Sequence, residues 1–224
     1  MQVEIWADVV CPFCYMGKRK FEMALDNFTR RGDVEVLWHS FQLDPSAKKL
    51  DGKDIHDYLA AKYGRDRQWA VESNSNIAAR AREVGLEYNF DKVIPTNTFH
   101  AHRLIHFASS RGLQDSAEER LFAAYFTEGE DIGDIEVLGR LGTEIGLDSA
   151  ELSQMLSSND YADLVKGDIE EAESLGISSV PFFVFNRKYA ISGAQPTHLF
   201  LETLQQAWNE EHSSGPVNPD HTSV

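Results

Sequence analysis

The sequence predicts an α/β fold in which a helical block interrupts a small β-sheet. Two strand-like segments flank one amphipathic helix near the N-terminus, and two short strand-like segments precede a last helix near the C-terminus. The long stretch between these parts has the periodicity of helices separated by Gly, Pro, Asn and Asp. The predicted order is therefore β-α-β, helices, then β-β-α. This is the order of a thioredoxin fold that carries a large all-helical insertion.

The N-terminal unit rests on two strand signals and one helix signal. VEIWADVV, from Val3, and VEVLWHSFQL, from Val34, are rich in the β-branched and aromatic residues that favour strands. Between them, apolar residues recur every three or four positions from Cys14 to Arg31, so we predict an amphipathic helix that stops before Gly32. Strands joined through a helix are expected to be parallel, with a right-handed crossover.

The remaining segments set the predicted domain boundaries. We assign residues 51–159 to an inserted helical domain, and residues 1–50 and 160–210 to the thioredoxin-like domain. VPFFVFNRKYAISG has two apolar runs around a polar turn, which predicts an antiparallel hairpin at the sheet edge, and a closing amphipathic helix follows it. Residues 211–224 are polar and rich in Pro and Ser, so they are predicted to form a flexible tail.

Composition excludes several classes of partner. The 224 residues are 42% hydrophobic and carry a formal net charge of −15, which would repel nucleic acid and anionic membranes. No apolar run approaches the roughly 20 residues needed to span a bilayer. The first residues, MQVEIWADVVCP, show neither the basic region nor the apolar region of a signal peptide, so we expect a cytoplasmic protein.

The only two cysteines form the motif CPFC, which is typical of either a redox pair or part of a metal site. A structural zinc site needs four ligands, and the chain has no second C-x-x-C. His102 and His106 have a spacing that would allow two further ligands, but histidines four apart more often only share a helix face. We therefore expect no metal.

A redox pair fits the position of the motif better. Cys11 follows a strand and starts a helix, where free N–H groups and the helix dipole favour thiolate over thiol. We predict that Cys11 is the exposed nucleophile and that Cys14, one turn further, is the resolving thiol. Pro12 and Phe13 are predicted to tune the redox potential. Asp8, three residues earlier, is a candidate proton relay or N-cap, and we favour a cap-like or solvated role.

Three motifs together resemble one known family. DVVCPFCYMGKRKFE, NTFHAHRLIHFA and SSVPFFVFNRKYAISGAQP are similar to those of DsbA-like thioredoxin proteins of the FrnE type, in the superfamily that includes 2-hydroxychromene-2-carboxylate isomerases. The resemblance covers most of the chain, from about Val3 to about Trp208. It implies a thioredoxin fold with a helical insertion and thiol–disulfide exchange in the cytoplasm.

The resemblance also implies roles for residues outside the cysteine motif. Pro181 takes the place of the family's cis-proline, and Val180 the place of the residue whose backbone groups bind an extended substrate. His102 and Arg103 match the family's helical motif, so we treat them as candidates for lining the cleft. A structural role for His102 weighs equally. His100 stands where the family usually has an acidic residue, which puts an inherited role there in doubt.

We therefore predict an enzyme, a protein disulfide oxidoreductase or isomerase that acts on protein or peptide thiols and disulfides. It would need no cofactor, with glutathione as a candidate redox partner. The alternative is a glutathione-dependent small-molecule isomerase or a kappa-type transferase-like enzyme. Such proteins typically have Ser at the first position and lack the second cysteine, and both Cys11 and Cys14 are present here. A non-enzymatic chaperone module is a third, minor option.

Overall fold

The computed structural model describes residues 1–48 and 54–213. The strands and helices are β1 (Gln2–Ala7), α1 (Pro12–Asp26), β2 (Glu35–Ser40), α2 (Ile55–Tyr63), α3 (Arg67–Arg82), α4 (Phe99–Ser109), α5 (Gln114–Ala123), α6 (Ile135–Glu144), α7 (Ser149–Ser157), α8 (Ala162–Ser174), β3 (Phe182–Phe185), β4 (Tyr189–Ser192) and α9 (Thr197–Ser213). A π-helical turn, Ala124–Glu128, directly continues α5.

The strands form one mixed sheet in the order β2-β1-β3-β4. Strand β1 pairs in parallel with β2, with Ile5 opposite Trp38, and antiparallel with β3, with Ile5 opposite Phe183. Strand β4 is the antiparallel partner of β3 at the sheet edge. The predicted parallel pair, the edge hairpin and the fold class, a thioredoxin fold with a helical insertion, are all confirmed.

The hairpin turn uses two residues other than glycine in the left-handed region. Asn186 has φ of 49° and Arg187 has φ of 53°, as a tight turn between twisted antiparallel strands requires. The Asn186 side chain accepts a 2.8 Å bond from the Gln2 backbone N–H, and the Arg187 guanidinium pairs with Glu4 and Glu171. These contacts join the turn to the central strand.

Helices cover both faces of the sheet because alternate strand residues point in opposite directions. On one face, Phe183 packs with its ring centroid 4.7 Å from that of Phe200 on α9 and 5.7 Å from that of Phe21 on α1. On the other face, Trp6 packs with Ala172 on α8. The cysteine motif therefore lies at one end of a helix that is fixed against the sheet along its length.

Four helices of the insertion begin with aspartate caps. Asp54, Asp66, Asp134 and Asp148 each accept hydrogen bonds from the first-turn backbone N–H groups of α2, α3, α6 and α7, which is a strong local start signal. The insertion packs against α1 through stacked rings, with the Tyr15 centroid 4.8 Å from that of Phe122. One hydrophobic core runs from the sheet into the insertion.

Some predicted boundaries differ from the structure. Helix α1 ends at Asp26 and not before Gly32, because the backbone N–H of Asn27 turns back to the Ala24 and Leu25 carbonyls. Helix α9 continues to Ser213, into the predicted tail, and residues 214–224 lie outside the described residues. The predicted 50/51 boundary also lies outside them, and the domain division stays a prediction. In the described ranges, no helix has the length and apolar character to cross a bilayer.

Candidate active site

The cysteine motif forms the loop and first turn of α1. The backbone N–H of Cys11 donates to the Asp8 carbonyl at 2.9 Å, and that of Cys14 donates to the Cys11 carbonyl at 3.0 Å. Pro12 is the first residue of the helix, where its missing N–H has no helical partner to lose. Both thiols are free.

Cys11 differs from the predicted exposed nucleophile, because it is only 3% exposed and lies in the wall of a cavity. Cys14 is fully buried behind it. Burial, followed by a hydrogen bond with the Cys11 thiol, raises the pKa of Cys14 well above its ordinary value. The two sulfurs are thus in contact and chemically unequal, since only the first can be reached from the cavity.

The loop before β3 faces the first cysteine. The Val180–Pro181 peptide bond is cis, as the family resemblance implies. The Val180 carbonyl oxygen lies 3.6 Å from the Cys11 Sγ and accepts a hydrogen bond from the thiol. Helix α1 approaches this loop closely at Gly17, where an added Cβ would lie 2.8 Å from Pro181 Cγ. The absence of a side chain at Gly17 therefore allows the cysteine helix to approach the proline loop this closely.

A cavity of about 680 Å³ lies above these residues. One wall is formed by Cys11, Phe13 and Val180, and the opposite wall comes from α2 and α3 of the insertion, including Tyr58 and Trp69. Its lining is mainly apolar and aromatic. The insertion therefore contributes to the lining of the space in which a substrate would meet Cys11.

Behind the cysteines lies a buried group of charged side chains. Asp8 is 1% exposed, and its Oδ1 lies 3.4 Å from Nε2 of His102, which is equally buried. Its Oδ2 accepts a 2.7 Å bond from the Leu43 backbone N–H. The cap-like or solvated role expected for Asp8 is wrong, because the side chain points inward. Burial lowers the pKa of His102, but the Asp8 carboxylate outweighs that effect and the net shift is upward.

Glu118, on α5, is the second carboxyl in this buried region. It is 2% exposed, and its Oε2 has no hydrogen-bond partner in the described part of the chain. Burial raises its pKa to about 8, although His102 and Lys18 act in the opposite direction. Glu118 therefore keeps its proton at neutral pH. Nothing in the sequence signals this, because a glutamate in a charged helix is usually solvated.

Lys18 is another charged residue that the structure buries. Its ammonium is 3.2 Å from Asp115 and 3.1 Å from Glu119, and it also pairs with Glu22 one turn along α1. Desolvation lowers the pKa of Lys18, but these carboxylates together raise it. The cluster joins α1 to α5, so it fixes the insertion against the cysteine helix.

Neither His102 nor Arg103 lines the cavity, which corrects that part of the prediction. His102 points to Asp8. The buried Arg103 guanidinium donates to the backbone carbonyls of Met155, Ser158 and Asp160 at 2.6, 2.7 and 2.8 Å. This side chain joins α4 to the end of α7, because its planar fork can donate to several carbonyls at once.

The histidines of α4 also point apart. His106 Nε2 lies 3.0 Å from Asp168 on α8, which also pairs with His39 Nδ1 at 2.8 Å. His100 Nδ1 is 2.9 Å from Arg103 Nη1, and burial followed by this cation lowers the pKa of His100. Within residues 1–48 and 54–213, no group of three or more His, Cys, Asp or Glu side chains is arranged to hold a metal ion.

Two residues of the insertion that the sequence analysis did not identify contact the cysteine motif. The Tyr88 hydroxyl donates to the Pro12 carbonyl at 2.8 Å. The Arg80 guanidinium lies over the Phe13 ring, 5.4 Å from its centroid. No sequence pattern identifies either residue, because both are far from the motif in the chain.

The chain resembles known proteins in sequence and in fold. A family model described as DSBA-like thioredoxin domain matches residues 2–205. The chain belongs to the DsbA-like thioredoxin family. The DsbA-like resemblance that the motifs predicted is thereby confirmed.

Three relatives show how far this DsbA-like protein resembles known chains. It is 33% identical over 207 residues to the uncharacterized protein YwbO of Bacillus subtilis, covering 91% of this chain and 96% of that protein. The crystal structure of a probable DsbA oxidoreductase from Streptomyces coelicolor superposes with a TM-score of 0.89 at 38% identity, over 100% of this chain and 99% of that one. The cytosolic disulfide reductase DsbM from Pseudomonas aeruginosa matches with a TM-score of 0.61 at 18% identity, over 92% and 99%, which shows the fold alone.

Proposed function

We propose that this DsbA-like protein is a thiol–disulfide oxidoreductase that acts on protein or peptide disulfides, as a reductase or isomerase, through Cys11 and Cys14. The observation that carries the proposal is the position of the Cys11 thiol, 3.6 Å from the Val180 carbonyl in the wall of a substrate-sized cavity. An extended peptide can pair with backbone groups of the Val180–Pro181 loop, which is a recognition mode that tolerates varied sequences.

The first step forms a mixed disulfide. The Cys11 thiolate attacks one sulfur of the substrate disulfide, so the substrate S–S bond breaks and a Cys11–substrate bond forms. The second substrate sulfur leaves as a thiolate. Cys14 remains a thiol during this step, because burial raises its pKa.

The second step releases the substrate. Cys14 gives its proton to the departing thiolate and attacks the Cys11 sulfur, which breaks the mixed disulfide and frees the other substrate thiol. The enzyme ends with a Cys11–Cys14 disulfide, and two electrons have passed to the substrate. For isomerisation, a free substrate thiol attacks the mixed disulfide instead.

The proposal requires no bound cofactor, because the cysteine pair carries the electrons. We propose that glutathione is the redox partner that restores the dithiol and that the protein works in the cytoplasm, where the glutathione pool is reducing. The likeness of the fold to that of a cytosolic disulfide reductase supports this location.

One observation favours the alternative of a glutathione-dependent small-molecule isomerase or kappa-type transferase-like enzyme. The cavity is large enough for a small organic molecule and mainly apolar. Such an enzyme would need no resolving thiol, so the role of Cys14 separates the two functions.

The test compares Cys11→Ser and Cys14→Ser with the wild type in insulin reduction with a thiol reductant. Cys11→Ser should abolish activity, since no nucleophile remains in the cavity. Cys14→Ser should accumulate enzyme–substrate mixed disulfides, which intact-protein mass spectrometry detects. Absence of insulin reduction by the wild type, together with no mixed disulfide trapped by Cys14→Ser, would reject the oxidoreductase and favour the alternative. The double variant serves as the control for non-specific thiol labelling.

A further inference from the structure

Among the residues that the structure describes, one cation in the cavity above Cys11 has no carboxylate partner. Arg80, on the cavity side of α3, is exposed and forms no ion pair with any residue in 1–48 or 54–213. Its guanidinium lies over the Phe13 ring. The other lining cation, Lys62, lies 3.2 Å from the Asp44 carboxylate. Asp44 also accepts a 2.6 Å bond from the Tyr58 hydroxyl, and no ion pair joins it to Arg80 among the described residues.

The position of Arg80 relates it to the reacting sulfur. Phe13 lies between the two cysteines, and the guanidinium is 5.4 Å from the centroid of its ring. Stacking on an aromatic face holds the planar group in place while its N–H donors stay free for a ligand. A carboxylate bound there would lie beside the cysteine motif, in a protein whose net charge of −15 otherwise repels anions.

The rest of the lining selects apolar groups. Trp69, Ile77 and Phe90 face the same space as Arg80. A group that fills this space would bury apolar surface at the same time as it brings a carboxylate to the arginine. In the described part of the chain, the cavity thus combines an apolar compartment with an arginine that has no ion-pair partner, next to one nucleophilic sulfur.

We propose that this cavity selects peptide disulfides in which a bulky apolar side chain and a carboxylate lie within a few residues of the reacting cysteine, and that Arg80 binds the carboxylate. This inference rests on the proposed thiol–disulfide exchange at Cys11 and names the substrate class of that site.

The test uses short capped peptides with one cysteine activated as a disulfide with thiopyridine, a neutral leaving group. One set places tryptophan and glutamate after the cysteine, and a second set places them before it. Matched peptides carry glutamine for glutamate or glycine for tryptophan. Reduced enzyme and peptide are mixed in a single turnover. The Cys11 thiolate attacks the peptide sulfur, thiopyridine leaves, and its release is followed by absorbance.

In at least one set, the wild type should react about fivefold faster with the glutamate peptide than with the glutamine peptide. Arg80→Gln should reduce that ratio to about one, and Arg80→Lys should retain much of it. Arg82→Gln is the matched control, because Arg82 is an exposed arginine of the same helix outside the cavity, and it should keep the wild-type ratio. The tryptophan-to-glycine preference should survive in all variants.

Two results would overturn the inference while leaving the proposed function intact. One is a wild-type ratio near one in both sets, with thiopyridine still released. The other is a glutamate preference that Arg80→Gln retains or that Arg82→Gln abolishes equally. If the reduced wild type reacts with none of the peptides, the proposed function itself is rejected, and the inference with it.

Discussion

Replacing Glu118 by glutamine should stabilise the protein at neutral pH. Glu118 is 2% exposed and has a carboxylate oxygen without a hydrogen-bond partner among the described residues. Its pKa is about 8 in the folded protein, because burial disfavours the charged form, against about 4.3 in an unfolded chain. Glutamine keeps the shape of the side chain and removes the ionisation.

The sign follows from proton linkage. The folded state binds the Glu118 proton more tightly than the unfolded state, so the wild type loses stability as pH rises from about 4.3 to about 8. Each pH unit in that window corresponds to about 1.36 kcal/mol. Between pH 5.5 and pH 7.5, the advantage of Glu118→Gln over the wild type should therefore grow by about 2 to 3 kcal/mol.

The assay is urea unfolding of both proteins at several pH values from 5.5 to 8, with the free energy of unfolding taken by linear extrapolation. Glu119→Gln is the neighbouring control, and its effect should have the opposite sign. Burial raises the pKa of Glu119, but Lys18, Tyr15 and Arg19 together lower it, so its loss should destabilise. A difference between Glu118→Gln and wild type that does not change with pH would refute the reasoning.

Three further predictions concern residues that hold the site together. Gly17→Ala should lower the free energy of unfolding by about 1–3 kcal/mol, because the new Cβ would lie 2.8 Å from Pro181 Cγ. It should also slow the reaction of Cys11 in the thiopyridine assay. The control is Gly167→Ala on α8, whose new Cβ would meet nothing within 4 Å and which should be neutral or stabilising. Arg103→Met should destabilise by about 2–3 kcal/mol in urea, because it removes the hydrogen bonds of the guanidinium to three backbone carbonyls. The folded fraction should keep its full rate of disulfide exchange, and a loss of that rate would support a role of Arg103 in the cleft. Desolvation raises the pKa of Asp168, but its two histidine partners outweigh this effect and lower the pKa. Asp168→Asn should therefore destabilise the protein above about pH 4. At lower pH, the melting temperatures of the variant and the wild type should converge.

Local sequence patterns predicted much of this molecule. The strands, the first helix and the edge hairpin each have a composition or period that one segment carries by itself, as NRK between two apolar runs shows. The cysteine motif was found in the same way, from its spacing, whereas the cis Val180–Pro181 bond was implied only by the family resemblance.

The charged interior could not be predicted, because it depends on partners distant in sequence. Lys18, Arg103 and Glu118 all have the composition of helix surfaces. Lys18 is buried only because α5 brings carboxylates to it, and Arg103 only because the end of α7 presents carbonyls. Arg80 could not be identified from the sequence for the same reason, because its proposed role depends on its position over Phe13, which is distant in the chain.

The order of strands in the sheet has a consequence for the protein during its synthesis. Strand β1 is central, yet its second neighbour, β3, emerges only after every helix of the insertion. Until then one edge of β1 keeps unpaired backbone groups, and an open strand edge is a template for pairing with other chains. Nascent or truncated chains that end before Phe182 should therefore aggregate. Only when the C-terminal hairpin has been translated can β3 pair with the open edge of β1 and protect the chain from aggregation.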